Sequence, residues 1–140
     1  MTEINFYSGV SNPMSATAKL VAKAYASGKR VRVVTADATA TQQLDRLLWE
    51  VPEESFIPHV TLGSKHAAVT PVIIDHTPTH EGAAEVLINL STQTPPFFAR
   101  FERVFEIVGQ DAALATAGRE RWQFYKARGY EMTHTVMKQG

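Results

Sequence analysis

The chain has 140 residues, enough for one domain with a sizeable core, and its 44% hydrophobic and 20% charged content is that of an ordinary globular protein. It contains no cysteine, which excludes disulfides, thiol catalysis and thiolate metal sites. Lys and Arg together number 14 and Asp and Glu 14, so a broad phosphate-gripping surface, which normally carries net positive charge, is not expected.

Met1-Thr2-Glu3-Ile4-Asn5 has neither the basic start nor the apolar run of a secretory leader, and the apolar stretches are too short to span a bilayer. A cytoplasmic location is the expectation. Ile4-Asn5-Phe6-Tyr7 reads as a first strand. Asn12 is then placed to cap a helix with Pro13 at its first position, and Met14, Ala18, Val21 and Tyr25 recur at helical spacing until Gly28 ends it. Val31-Arg32-Val33-Val34-Thr35 is rich in β-branched residues and predicts a buried strand.

A second helix is expected from about Ala40 to Trp49, because Leu44, Leu47, Leu48 and Val51 share one face. Residues 52–58 are bounded by prolines and predict an ordered loop. Val72-Ile73-Ile74 and Val86-Leu87-Ile88-Asn89-Leu90 are the third and fourth strands. Pro95-Pro96 opens a short helix carrying Phe97, Phe98 and Phe101, and Val104-Phe105-Glu106-Ile107-Val108 is a fifth strand. Asp111 caps a long helix reaching about Arg128, Gly129 ends it, and residues 130–137 are suited to an edge strand. Strands alternating with helices imply one α/β domain over residues 1–140, with a mainly parallel sheet and helices on both faces.

Such a sheet raises the question of nucleotide binding. Gly28-Lys29 has the Gly-Lys pair of a phosphate loop, but Lys23 stands where the first glycine belongs, and the pair follows a helix and precedes a strand. Neither Gly-x-Gly-x-x-Gly nor Gly-x-Ser-x-Gly occurs, so no nucleotide-binding loop and no cofactor are expected. Asp75-His76-Thr77-Pro78-Thr79-His80 is the one candidate metal cluster: Asp75, His76 and His80 could supply three ligands to a hydrolytic zinc, and the competing reading is a polar loop after a strand.

Surfaces for partners carry more information. On the last helix, Leu114, Ala117, Gly118, Arg121 and Tyr125 fall on the side facing the sheet, while Arg119, Trp122 and Lys126 form a neighbouring stripe. An aromatic between two cations suits a peptide with acidic residues and an apolar or carboxylate end. Trp49 and the Phe56-Ile57 pair form a second candidate surface, or else core residues beneath a loop.

Gly28-Lys29-Arg30-Val31, Leu44-Asp45, Leu48-Trp49 and Pro52-x-x-Ser55-Phe56-Ile57-Pro58-His59, followed by Arg119-Glu120-Arg121-Trp122, Tyr125 and Gly129-Tyr130, together resemble the chi subunit family of bacterial DNA polymerase III. The resemblance runs in order over nearly the whole chain and is poorest at residues 61–70 and 76–84. It implies a Rossmann-like fold without a nucleotide site, and a non-enzymatic adaptor of the clamp-loader assembly. It implies further that Val108, Arg119 and Trp122, with Lys126 near them, bind the acidic, Phe-terminated C-terminal tail of single-stranded DNA-binding protein. Trp49 and Phe56 match the surface used for the psi subunit or a helicase. Family members often carry basic residues near position 115 and just after the aromatic, where this chain has Ala115 and Gln123, and Trp122 replaces a commoner Tyr. Those departures imply a tail site of altered strength or shape.

Overall fold

The computed structural model of the chain describes residues 2–50, 57–61, 64, 70–77, 79–80 and 84–137. Among the described residues seven strands and three helices follow one another as β1 (Glu3–Val10), α1 (Pro13–Ala26), β2 (Val31–Val34), α2 (Ala38–Trp49), β3 (His59–Val60), β4 (Val72–Asp75), β5 (Val86–Asn89), β6 (Arg103–Gly109), α3 (Ala112–Ala127) and β7 (Glu131–Val136). A 3₁₀ turn at Phe98–Arg100 stands where the short helix was expected. The strands form one sheet in the order β3-β4-β2-β5-β6-β1-β7, and every pairing is parallel. The α/β expectation holds. β3, a two-residue edge strand, was not anticipated.

The local signals explain the helix boundaries. Asn12 Oδ1 accepts from the Ser15 amide at 3.1 Å, Asp37 Oδ1 from Ala40 at 2.8 Å, and Asp111 Oδ1 from Ala113 at 2.8 Å, each satisfying a donor that the first helical turn leaves free. α2 starts at Ala38 because Asp37 supplies the cap. β1 runs past Tyr7 to Val10 across a register shift, where Gly9 takes a φ of +66° that a side chain would resist.

β2, β4 and β5 are buried at every position, as a parallel sheet covered on both faces requires. Val31, Val33, Val72, Ile74, Val86 and Ile88 point to one face, where α1 and α2 bring Val21, Leu44 and Leu48. Ile4, Phe6, Leu87, Val104 and Val108 point to the other, where α3 and Phe97, Phe98 and Phe101 lie. Leu47, expected on the buried face of α2, is only partly buried, and Val51 lies outside the described residues.

On the α3 face a charge sits inside the protein. Glu106 of β6 is fully buried. Its carboxylate accepts from Arg121 Nε at 2.8 Å, Tyr125 Oη at 2.6 Å and Asn89 Nδ2 at 2.9 and 3.1 Å. Burial pushes the Glu106 carboxyl above the ordinary carboxylate range, and the Arg121 charge with the Tyr125 and Asn89 hydrogen bonds pulls the other way. Burial, and after it the Glu106 charge, pushes the Tyr125 phenol well up, so it stays a donor at any ordinary pH.

Removing one member of such a cluster leaves the opposite charge buried and uncompensated. Arg121→Met is expected to lower unfolding stability by about 3–5 kcal/mol in urea titrations, and Glu106→Leu in the same chain to recover part of that loss. A single variant within about 1 kcal/mol of the parent would mean that Glu106 does not depend on Arg121.

Candidate functional site

The α3 face ends in an open groove of about 520 Å³ over the C-terminal ends of β1 and β6, where parallel sheets of this class commonly bind ligands. Val108 and Gly109 of β6 form its floor with Phe6 and Ser8 of β1; Ala115, Arg119 and Trp122 of α3 form one wall, and His134 of β7 the other. The structure therefore brings Val108, Arg119 and Trp122 into one cleft. Lys126, one turn beyond Trp122, is exposed and does not line it.

The geometry follows from how α3 sits. Arg121 and Tyr125, four residues apart, both reach Glu106, which fixes the rotation of the helix about its axis. Gly118 then faces Val108, and a Cβ built there would lie 2.9 Å from both Val108 methyl carbons. Only glycine lets helix and strand approach so closely. Trp122 is partly buried and meets Phe6 edge-on at 5.2 Å. Arg119 stands exposed at the rim, its Nη2 donating to Thr116 Oγ1 at 3.3 Å. Among the described residues no acidic side chain lines the groove. A cation thus borders an apolar floor, an arrangement able to hold a carboxylate and a neighbouring apolar side chain together.

Trp49, at the end of α2, is 56% exposed and its ring lies 4.7 Å from that of His59. His59 Nε2 lies 3.2 Å from Asp45 Oδ1, so the aromatic platform is braced from within α2 and β3. Phe56 lies outside the described residues. α2 packs on β3 and β4, at the sheet edge opposite the groove.

The Asp75-His76-His80 cluster does not converge on a metal site. Among the described residues no group of three or more His, Cys, Asp or Glu is placed to hold a metal ion. Asp75 accepts from the Thr77 amide at 3.1 Å, and His76 Nδ1 lies 3.4 Å from Thr41 Oγ1. His80 is buried between Phe97 and Phe101, with ring centroids at 5.7 and 5.1 Å. Burial works to raise the Asp75 carboxyl, but the Thr77 hydrogen bonds, Arg32 and His76 hold it below the usual range.

The polar segment is organised instead around Arg32, fully buried in β2, which donates to Thr79 O at 2.6 Å and Thr77 O at 2.9 Å and stacks 5.1 Å over Phe97. Burial lowers this guanidinium to about 10, with Asp75 opposing the shift. It therefore stays charged at neutral pH and staples the chain leaving β4. Periodicity places Arg32 correctly on a strand but gives no sign that its partners are carbonyls more than forty residues away.

The family model for the DNA polymerase III chi subunit, HolC, matches residues 1–133. The DNA polymerase III subunit chi of Pseudomonas aeruginosa is 31% identical over 136 residues, covering 94% of each chain. The subunit of the same name from Escherichia coli K12 is 29% identical over 131 residues, covering 93% of this chain and 89% of that one. That from Haemophilus influenzae is 28% identical over 115 residues, 81% of this chain and 80% of the other.

Gly118→Ala tests the close approach. Ala improves helix propensity by about 1 kcal/mol, but overpacking against the stiff Val108 costs about 1–3 kcal/mol. A lowered denaturation midpoint with shifted Val108 methyl resonances is expected; unmoved methyl signals would show that the helix stands further from β6.

Proposed function

The chain belongs to the DNA polymerase III chi subunit family, and from that membership we propose that it is a non-catalytic adaptor of the holoenzyme clamp loader. In this reading it captures the acidic, Phe-terminated C-terminal tail of single-stranded DNA-binding protein. The observation that carries the reading is the groove itself: Val108, Arg119 and Trp122 line one cleft with no acidic neighbour among the described residues. Arg119 takes a tail carboxylate through its planar fork, while Val108 and Trp122 cover the terminal aromatic ring. Lys126 adds longer-range attraction from the last turn of α3.

Trp49, together with Phe56, is the docking surface for the psi subunit or a helicase in this proposal. An exposed tryptophan on a braced platform is the kind of residue that anchors protein interfaces. The sheet separates the two surfaces, so one folded domain spans them. A modest tail contact suffices, because a coated strand presents many tails and rebinding raises the effective affinity.

The test is a fluorescence-anisotropy titration with a labelled acidic peptide ending in Phe. Saturable binding is expected, and Arg119→Ala should weaken it roughly tenfold or more, the loss typical of a charge-assisted hydrogen bond. A folded parent protein that fails to bind the peptide refutes the proposal for this groove.

A further inference from the structure

The groove has one titratable wall. Among its lining residues Arg119 is the permanent charge, and His134 of β7 is the other ionisable side chain. Parallel pairing sets His134 opposite Phe6 of β1, on the α3 side of the sheet. Its Nε2 lies 2.6 Å from Ser8 Oγ, and its ring is 5.8 Å from that of Trp122. The imidazole is exposed yet held in place by a hydroxyl and an indole.

The groups around it are few. β1 presents Ser8 and Phe6; α3 presents Trp122, with Arg119 along the same cleft. Glu106 of β6 lies in the same cross-sheet row but is committed to Arg121, Tyr125 and Asn89. Among the described residues no acid lines the groove, so no described side chain there answers a proton on His134, whereas an anionic ligand would. Nε2 is engaged by Ser8, which leaves Nδ1 to donate to that ligand.

We infer that His134 is a second anion contact of this groove and makes its grip on an acidic peptide pH-dependent, tightest when the imidazole is protonated. The inference rests on the tail-binding reading and adds a regulating residue to it. A bound carboxylate stabilises the imidazolium, so peptide and proton favour each other's binding. The gain is present when the imidazole carries its proton and is lost when rising pH removes it. Aspartates and the terminal carboxylate of the peptide stay ionised from about pH 6 to 8, and arginine does not titrate there.

The experiment measures affinity for an N-acetylated acidic peptide ending in Phe at pH 6, 7 and 8 and constant ionic strength. The intact chain and His134→Gln are compared, with circular dichroism confirming the fold at each pH. Binding roughly three- to tenfold tighter at pH 6 than at pH 8 is expected, tenfold corresponding to one unit of linkage, and the ratio should fall close to one in His134→Gln. Independently of any variant, the NMR titration midpoint of the His134 ring should move upward when peptide saturates the intact chain. Peptide binding whose pH ratio survives in His134→Gln, or a ring titration that peptide does not move, overturns the inference and leaves the tail-binding reading standing. Absence of peptide binding at every pH would bring down that reading, and this inference with it.

Discussion

A carboxylate without access to water sets the terms for half of this molecule. Glu106 sits in the sixth strand with no exposed surface, and neighbouring elements must answer its charge. The fifth strand sends Asn89, which is itself held by Ser91 and Gln93; the third helix sends Arg121 and Tyr125. Desolvating an ion pair costs several kcal/mol per ion before any attraction is counted, so the cluster contributes more to orientation than to net stability. Two donors one helical turn apart, converging on one carboxylate, leave the helix a single azimuth. Gly118 against Val108, Trp122 against Phe6 and Arg119 at the rim all follow from it.

Strand order separates the two candidate surfaces. The groove belongs to the edge formed by the sixth, first and seventh strands, and Trp49 to the edge formed by the third and fourth. At about 4.7–4.9 Å per strand, six spacings put the sheet edges roughly 29 Å apart. The doubly covered strands between them suit the adaptor role proposed above, since a flexible connection would surrender the fixed geometry between two partners.

Most of the fold was legible because its signals are local. Asn12, Asp37 and Asp111 stand beside the amides they cap, and the β-branched runs of the second, fourth and fifth strands mark them as buried. The third strand is two residues long and leaves no periodicity to read. Helical spacing put Arg119 and Trp122 on one stripe, Val108 entered through resemblance, and the geometry of the cleft then joined them. Ser8 and His134 were beyond reach. They are 126 positions apart, and only the parallel pairing of the first and last strands puts them in contact. The Asp75-His76-His80 spacing left a metal site and a polar loop both open for a related reason: its neighbours are organised by Arg32, whose role depends on a chain segment far away in sequence.

The placement of the first strand also dictates when the groove can exist during synthesis. Ile4 leaves the ribosome early, but its partners on either side are Val104 and Met132. The second, fourth and fifth strands, which pair with one another, all emerge well before then. The opening strand must wait, its apolar face without a sheet, until the last helix and strand arrive to close around it. A prematurely terminated chain lacking β7 could therefore retain the Trp49 platform and much of the central sheet while missing one wall of the groove. On the function proposed above, such a product would present the Trp49 surface without a complete groove.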